Sequence, residues 1–246
     1  MRLIKKKLAI LAILALSGLI VPFHLSANEH SSFLIINAKI IDGSGGPSRF
    51  ESVRINGNRI EEVGQLQPLS GETTVDATGL ILSPGFIDTH SHHDGHIFEM
   101  PDALSAVSQG ITTIVVGMDG FSMVPLSNFF TQLENNPVAI NIASYSGHNS
   151  LRSMTMGKDY KRPSTQMEMR NMADLLKQDM KDGALGLSTG LEYDPGLYSE
   201  TDEVVDLLKI VSNYKGRYTS HMRSEDISLE AALDEFIEIS RRTKLP

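Results

Sequence analysis

The sequence predicts an α/β fold with a parallel sheet, preceded by a smaller strand-rich segment. From residue 81 onward, apolar strand-like runs alternate with helix-like segments, a pattern typical of right-handed β-α-β units. Residues 33–84 instead contain short strand patterns separated by turn signals. With 246 residues, the chain is long enough for one domain of barrel size, which needs ~250, or for two smaller domains.

The first 27 residues have the pattern of a signal peptide. Four basic residues lie within the first seven, and Leu8–Val21 is an uncharged stretch of 14 residues. This stretch is too short for a membrane-spanning helix of ~20 residues but suits a signal-peptide core. We expect cleavage after Ala27, a polar linker at 28–32 and export to the periplasm or the medium. An uncleaved N-terminal anchor is the alternative.

Charge and cysteine content narrow the possible partners. Removing residues 1–27 lowers the Lys+Arg count from 22 to 18 against 30 Asp+Glu, so the net charge falls from −8 to −12. An acidic surface argues against nucleic-acid binding. The chain has no cysteine, which suits export and excludes thiolate metal ligands and lipoprotein attachment.

The segment 33–84 is predicted to be built from short strands. Phe33–Ile36 and Lys39–Asp42 flank Asn37-Ala38, and Thr74–Asp76 forms another strand. Asn56-Gly57 between two apolar runs indicates a type I′ hairpin.

The segment 81–246 is predicted to contain five strands and five helices. The strands are expected at 81–88, 111–116, 138–143, 184–188 and 217–221, and the helices near 102–109, 127–135, 165–182, 200–214 and 228–242. Thr165 with Glu168, and Ser199 with Asp202, are candidate capping boxes. A closed (β/α)8 barrel needs eight strands and eight helices, so this segment would supply only part of one.

Two histidines follow the first of these strands. His90 and His92 are two residues apart, and residues with this spacing in a strand point to the same side of the sheet. Their imidazoles are therefore predicted to face one metal ion, and imidazole suits zinc, copper, iron or nickel.

The run that contains these histidines, Pro84–Asp94, closely resembles the strand-1 signature of the amidohydrolase superfamily. Residues 33–246 resemble the N-terminal part of the N-acyl-D-amino-acid deacylases. The resemblance rests on four further blocks in the expected order: Gly110–Gly117, Tyr145–His148, Gly186–Tyr193 and Thr219–Glu225. No lysine lies between residues 184 and 193 to match the carbamylated lysine of hydantoinases, which disfavours hydantoinase and dihydroorotase activities.

The resemblance implies a metal-dependent (β/α)8 barrel with a small β-sandwich. Residues 33–84 would form part of the sandwich, and residues 85–246 about five of the eight barrel units. The cofactor would be one or two Zn²⁺ ions.

The resemblance also implies the site residues. His90, His92 and His221 would bind metal, together with Asp119, which stands where these deacylases usually have a cysteine ligand. Aspartate is also a zinc ligand, through oxygen.

Three further residues, Tyr193, Arg223 and His148, would contact the substrate, with Arg223 or a later arginine pairing its carboxylate. The alternatives are local packing of a loop residue for Tyr193 and a structural hydrogen-bonding role for His148. The catalytic residue itself is unknown, because the family's strand-8 aspartate and strand-6 histidine would lie beyond the end of the chain.

The implied activity is hydrolysis of N-acyl-D-amino acids, with a small-molecule substrate and no nucleic-acid or membrane partner after signal cleavage. We expect the 246 residues alone to be inactive and to require a complementing C-terminal segment. The alternatives are an amidohydrolase acting on cyclic or dipeptide-like amides, and an inactive product or one half of a split pair.

Overall fold

The computed structural model describes residues 32–246, which belong to two compact units divided between Pro84 and Gly85. The predicted signal peptide and nearly all of the predicted linker lie outside the described residues. Within residues 32–246, no helix has the length and apolar character needed to cross a bilayer.

The first unit contains one mixed five-stranded sheet. Its strands are β1 (Ser32–Ile40), β2 (Arg49–Asn56), β3 (Arg59–Gly64), β4 (Thr73–Asp76) and β5 (Ile81–Leu82). The order is β3-β2-β1-β4, with β5 also pairing with β1. β2 is antiparallel to its neighbours, whereas β4 and β5 run parallel to β1. A second layer of the predicted sandwich is not found among the described residues of this unit.

Two turn predictions in this unit need correction. Asn37 has a φ of 60° at a β-bulge inside the continuous strand β1, so it does not separate two strands. In the hairpin, Asn56 pairs with Arg59, which places the turn at Gly57-Asn58. Only Gly57 has a positive φ, of 57°, as in a type II′ turn and not the predicted type I′ turn.

The second unit alternates strands and helices as predicted. Its strands are β6 (Phe86–Asp88), β7 (Ile111–Val116), β8 (Asn141–Ser144), β9 (Ser146–Gly147), β10 (Gly186–Gly190) and β11 (Arg217–His221). Its α-helices are α1 (Leu104–Val107), α2 (Leu126–Asn135), α3 (His148–Met156), α4 (Gln166–Lys181), α5 (Thr201–Asn213) and α6 (Leu229–Thr243).

All strand pairs in this unit are parallel, in the orders β6-β7-β8 and β9-β10-β11. Only Tyr145 separates β8 from β9, and the Leu185 N–H donates to the Ser144 carbonyl at 2.9 Å. The two groups of strands therefore meet at β8 and β9, and the strands follow one another in chain order.

Several boundaries differ from the predictions. The predicted strand 81–88 is split into β5 and β6 around Pro84, which has no N–H to donate to a ladder. Helix α3 was not predicted. The capping box of Thr165 and Glu168 is confirmed, but the N-cap of α5 is Glu200, and the Ser199 hydroxyl donates to the Gly196 carbonyl.

The core of the second unit lies between the strands and the helices. Fully buried side chains of β7 and β10 pack there with side chains from α2, α4 and α5; they include Ile114, Val116, Leu187, Phe129, Leu176 and Leu208. This packing holds the strands in register, so that their carboxyl ends meet at one edge, where active sites of parallel α/β proteins lie.

Candidate metal centre

His90 and His92 lie just beyond the carboxyl end of β6. The backbone N–H of His90 donates to the Asp88 carboxylate at 3.1 Å, and that of Ser91 donates to the Val115 carbonyl at 2.9 Å. These bonds hold the segment against the end of β7. The imidazoles themselves remain open to solvent, with 55% and 60% of their side-chain surface exposed.

Asp119 follows β7 in a tight loop. Its φ of 53° lies in the left-handed region, which aspartate tolerates better than most residues with a side chain. Gly117 and Gly120 beside it also have positive φ values, of 74° and 81°. A Cβ at Gly117 would lie 2.3 Å from the Tyr145 carbonyl oxygen, so the loop requires glycine there.

These three side chains converge. The Asp119 Oδ2 atom lies 3.2 Å from the His90 Nε2 atom and 3.0 Å from the His92 Nε2 atom. We call His90, His92 and Asp119 the metal-ligand group, because their three donor atoms all lie within 4.8 Å of one another.

The donor set fits zinc. Zinc takes imidazole nitrogen and carboxylate oxygen at ~2.0–2.2 Å, so two ligands of one tetrahedral ion lie only a little over 3 Å apart. One carboxylate oxygen already faces two imidazole nitrogens at about this spacing. Among the described residues this is the one group of at least three His, Cys, Asp or Glu side chains with such convergence.

His221, the fourth predicted ligand, is placed differently. It ends β11, and its Nε2 atom lies 2.9 Å from the Glu192 carboxylate. Its Nδ1 atom lies 3.1 Å from the Tyr193 hydroxyl and 3.5 Å from the Glu225 carboxylate. The structure therefore does not bring His221 into the metal-ligand group, because both of its ring nitrogens face other partners.

Glu192 was missed by the sequence analysis. It follows the end of β10 and faces His221 directly. The sequence did contain a signal for Glu192, since it is an acidic residue two positions after Gly190, where β10 ends.

Tyr193 lies between Asp119 and His221. Its ring packs on the His221 ring with centroids 4.3 Å apart. Burial raises the pKa of its phenol, and the carboxylates of Asp119, Glu192 and Glu225 raise this pKa further. This predicted substrate contact is therefore next to the metal-ligand group, with its hydroxyl directed at His221.

Arg223 is already paired. Its guanidinium donates two hydrogen bonds to the Glu235 carboxylate, at 2.8 and 2.9 Å, and a third to the Leu197 carbonyl at 3.0 Å. The Arg223 guanidinium would have to exchange this pairing with Glu235 for a substrate carboxylate, and its role in substrate binding stays a prediction.

His148, the third predicted substrate contact, is completely buried at the start of α3. Its Nε2 atom lies 2.8 Å from the Glu203 carboxylate, which also accepts two hydrogen bonds from Arg152. We call His148, Arg152 and Glu203 the buried ion cluster. The complete burial of His148 favours the structural hydrogen-bonding role over the substrate contact.

Comparisons with known proteins agree with this architecture. No protein-family model matches the chain. The chain is 33% identical over 244 residues to a D-aminoacylase of Alcaligenes xylosoxydans xylosoxydans, covering 90% of this chain and 50% of that protein. It is 36% identical to the N-acyl-D-glutamate deacylase of the same organism, covering 87% of this chain and 48% of the relative.

A solved structure shows the same likeness. The N-acyl-D-glutamate deacylase of Bordetella bronchiseptica, complexed with zinc and a phosphonate inhibitor, superposes with a TM-score of 0.80 at 34% identity. The match covers 87% of this chain and 49% of that one, so the chain spans about half the length of the relatives it matches. Over that length, the chain is similar to proteins named D-aminoacylase and N-acyl-D-glutamate deacylase.

Proposed function

We propose that this chain is the metal-binding part of a zinc-dependent hydrolase of N-acyl-D-amino acids. The observation that carries the proposal is the convergence of the His90 and His92 Nε2 atoms on the Asp119 Oδ2 atom. The names of the relatives, which are deacylases of N-acyl-D-amino acids, supply the substrate class.

In this proposal each residue has a defined task. His90, His92 and Asp119 hold the ion, with Asp119 in place of the thiolate of related deacylases. A bound zinc ion would supply Lewis acidity toward an amide carbonyl. Tyr193 lies beside the group, and its hydroxyl, which faces the His221 Nδ1 atom at 3.1 Å, would donate a hydrogen bond to a substrate oxygen.

The electrostatics of the neighbourhood also suit zinc binding. Asp119, Glu192 and Glu225 place three carboxylates around Tyr193, a surplus of negative charge that a divalent cation offsets. Glu192 follows the end of β10, and His221 ends β11. To bind a metal ion, each would have to give up the contact between the His221 Nε2 atom and the Glu192 carboxylate.

The test combines metal binding with activity. We expect the purified chain to bind Zn²⁺, and His90→Ala to abolish binding. The matched control is His96→Ala, because His96 is exposed, pairs only with Glu99 and lies outside the metal-ligand group. Zinc binding that His90→Ala leaves unchanged would contradict the proposed site.

Activity is measured as amine release from N-acetyl-D-amino acids, with the L-enantiomers as controls. The chain is assayed alone and together with the part of the Alcaligenes D-aminoacylase that it does not match. We expect zinc-dependent release from the D-substrates in the mixture and none with His90→Ala. Release from L-substrates at an equal rate would contradict the proposed substrate class.

A further inference from the structure

The loop that carries Asp119 is tied to β10 by one side chain. Ser188, 68 residues beyond Gly120 in the chain, accepts a hydrogen bond from the Gly120 N–H at 3.1 Å. Its hydroxyl donates to the Gly117 carbonyl at 2.5 Å. Ser188 is fully buried, so water does not compete for these bonds.

The hydroxyl bridges the two ends of the Gly117–Gly120 segment, because it accepts from the Gly120 N–H and donates to the Gly117 carbonyl. Asp119 and Gly120 are the central residues of a tight turn, Met118–Phe121, in which the Phe121 N–H donates to the Met118 carbonyl at 2.9 Å. Both have positive φ values, of 53° and 81°. Ser188 therefore anchors this turn to β10 through the residues on both sides of Met118 and Asp119, which fixes the place from which the Asp119 carboxylate projects.

The loop also packs closely against its neighbours. A Cβ at Gly120 would lie 2.4 Å from the Asn149 Oδ1 atom and 2.7 Å from the Gly190 backbone nitrogen. A Cβ at Gly190 would lie 2.1 Å from the Asp119 carbonyl oxygen. The loop backbone thus lies directly on β10 and α3. Within this contact, the Ser188 hydroxyl makes hydrogen bonds to the Gly117 carbonyl and the Gly120 N–H.

We propose that Ser188 is a positioning residue that holds the Asp119 carboxylate in place for zinc binding. This inference rests on the metal site proposed above. The hydroxyl does not contact the ion or the ligand atoms; it acts through the Gly117–Gly120 loop. Residues that only orient a metal ligand typically change metal affinity by about 10- to 100-fold.

The first test measures Zn²⁺ affinity by competition with a chromogenic chelator. We expect Ser188→Ala to weaken binding by about 10- to 100-fold, and Ser188→Thr, which keeps the hydroxyl, to restore affinity to within about threefold of wild type. The matched control is Ser146→Ala. It also removes a buried serine hydroxyl, but this hydroxyl donates to Asp179 at 2.6 Å and not to the Gly117–Gly120 loop.

The outcomes separate the two proposals. If wild type binds zinc and Ser188→Ala binds it equally well, or if Ser146→Ala loses as much affinity, the role of Ser188 is refuted while the metal site stands. If wild type binds no zinc, both proposals fail. A folded Ser188→Thr protein with tenfold weaker binding would also refute the role of the hydroxyl.

A second test needs no variant and therefore does not depend on Ser188→Ala folding. By thermodynamic reciprocity, if Ser188 favours zinc binding, zinc must tighten the Ser188–Gly120 bond. We expect hydrogen exchange of the Gly120 amide to slow on zinc addition. The control is the Leu126 amide, which donates to a buried side-chain acceptor, Asp179, at 2.9 Å. Equal effects of zinc on both amides would refute the coupling.

Discussion

The metal-ligand group and the buried ion cluster use similar side chains for opposite purposes. Both join histidine nitrogen to carboxylate oxygen at 2.8–3.2 Å. In the buried ion cluster an arginine adds a permanent positive charge, and every member is buried. In the metal-ligand group the histidines are more than half exposed, and no arginine or lysine between residues 32 and 246 pairs with the carboxylate.

The difference shows that surroundings, and not residue type, decide what a histidine–carboxylate pair does. Inside the protein, each charge must be paired, and removing a partner leaves an uncompensated ion. At an exposed strand end, water can replace a lost partner, so a histidine–carboxylate contact contributes little to stability. We therefore expect these side chains to exchange that contact for a cation at a small cost in free energy. Each prediction below tests one side of this contrast.

The largest expected effect concerns the buried ion cluster. Glu203→Gln leaves Arg152 and His148 buried without a negative partner, so we expect the free energy of unfolding to fall by about 3–5 kcal/mol. Urea unfolding measures this change. Glu99→Gln is the control, because Glu99 is 75% exposed and pairs only with His96. A loss below about 1 kcal/mol would mean that the buried ion cluster is no more important for stability than an exposed ion pair.

His92→Ala should weaken zinc binding and leave stability nearly unchanged, whereas Glu203→Gln should lower stability. We expect zinc affinity to fall by more than about 100-fold, beyond the loss caused by residues that only orient a ligand. The free energy of unfolding of the metal-free protein should change by less than about 0.5 kcal/mol, because the side chain is exposed. Zinc competition and urea unfolding on the same preparation test both parts. Strong destabilisation would mean that His92 has a structural role.

The stability contributed by the buried ion cluster should depend on pH through Glu203. Burial opposes the charged form of Glu203, but hydrogen bonds and charge from His148 and Arg152 outweigh it and lower its pKa from 4.5 to about 2. A lowered carboxyl pKa contributes stability above pH 4.5, which is lost as the pH falls from 4.5 toward 2. We expect metal-free wild type to lose stability over this range more steeply than Glu203→Gln in urea unfolding. Identical slopes would contradict this assignment.

Asp119→Cys should have the smallest effect. The family resemblance implies a thiolate ligand at this position, and zinc binds cysteine sulfur at ~2.3 Å, so we expect zinc affinity to stay equal or rise. The φ of 53° is less favourable for cysteine, at about 1–2 kcal/mol, which limits the gain. Asp119→Ala is the control and should lose binding. Loss of binding in Asp119→Cys as well would mean that Asp119 does not occupy the thiolate position.

Local sequence predicted most of the second unit. The apolar run at 111–116 and the segment 217–221 form strands with the expected bounds, because β-branched and aromatic residues there lie between helix ends and polar loops. Helix α3 was missed because its sequence is polar, and its buried His148, Asn149 and Arg152 make hydrogen bonds to partners far along the chain.

For the site, local sequence shows which donors are available and that His90, His92 and Asp119 follow neighbouring strands, because the end of a strand is a local property. His90 and His92 lie beyond β6, which ends at Asp88, so the alternation of strand side chains does not orient them. Which donors meet depends on the folding of distant segments onto one another. Arg223 and His148 found carboxylate partners on helices α6 and α5, and Ser188 reached the Asp119 loop. Such pairings depend on contacts between segments 12 to 68 residues apart, and no local pattern encodes the distance between those segments in space.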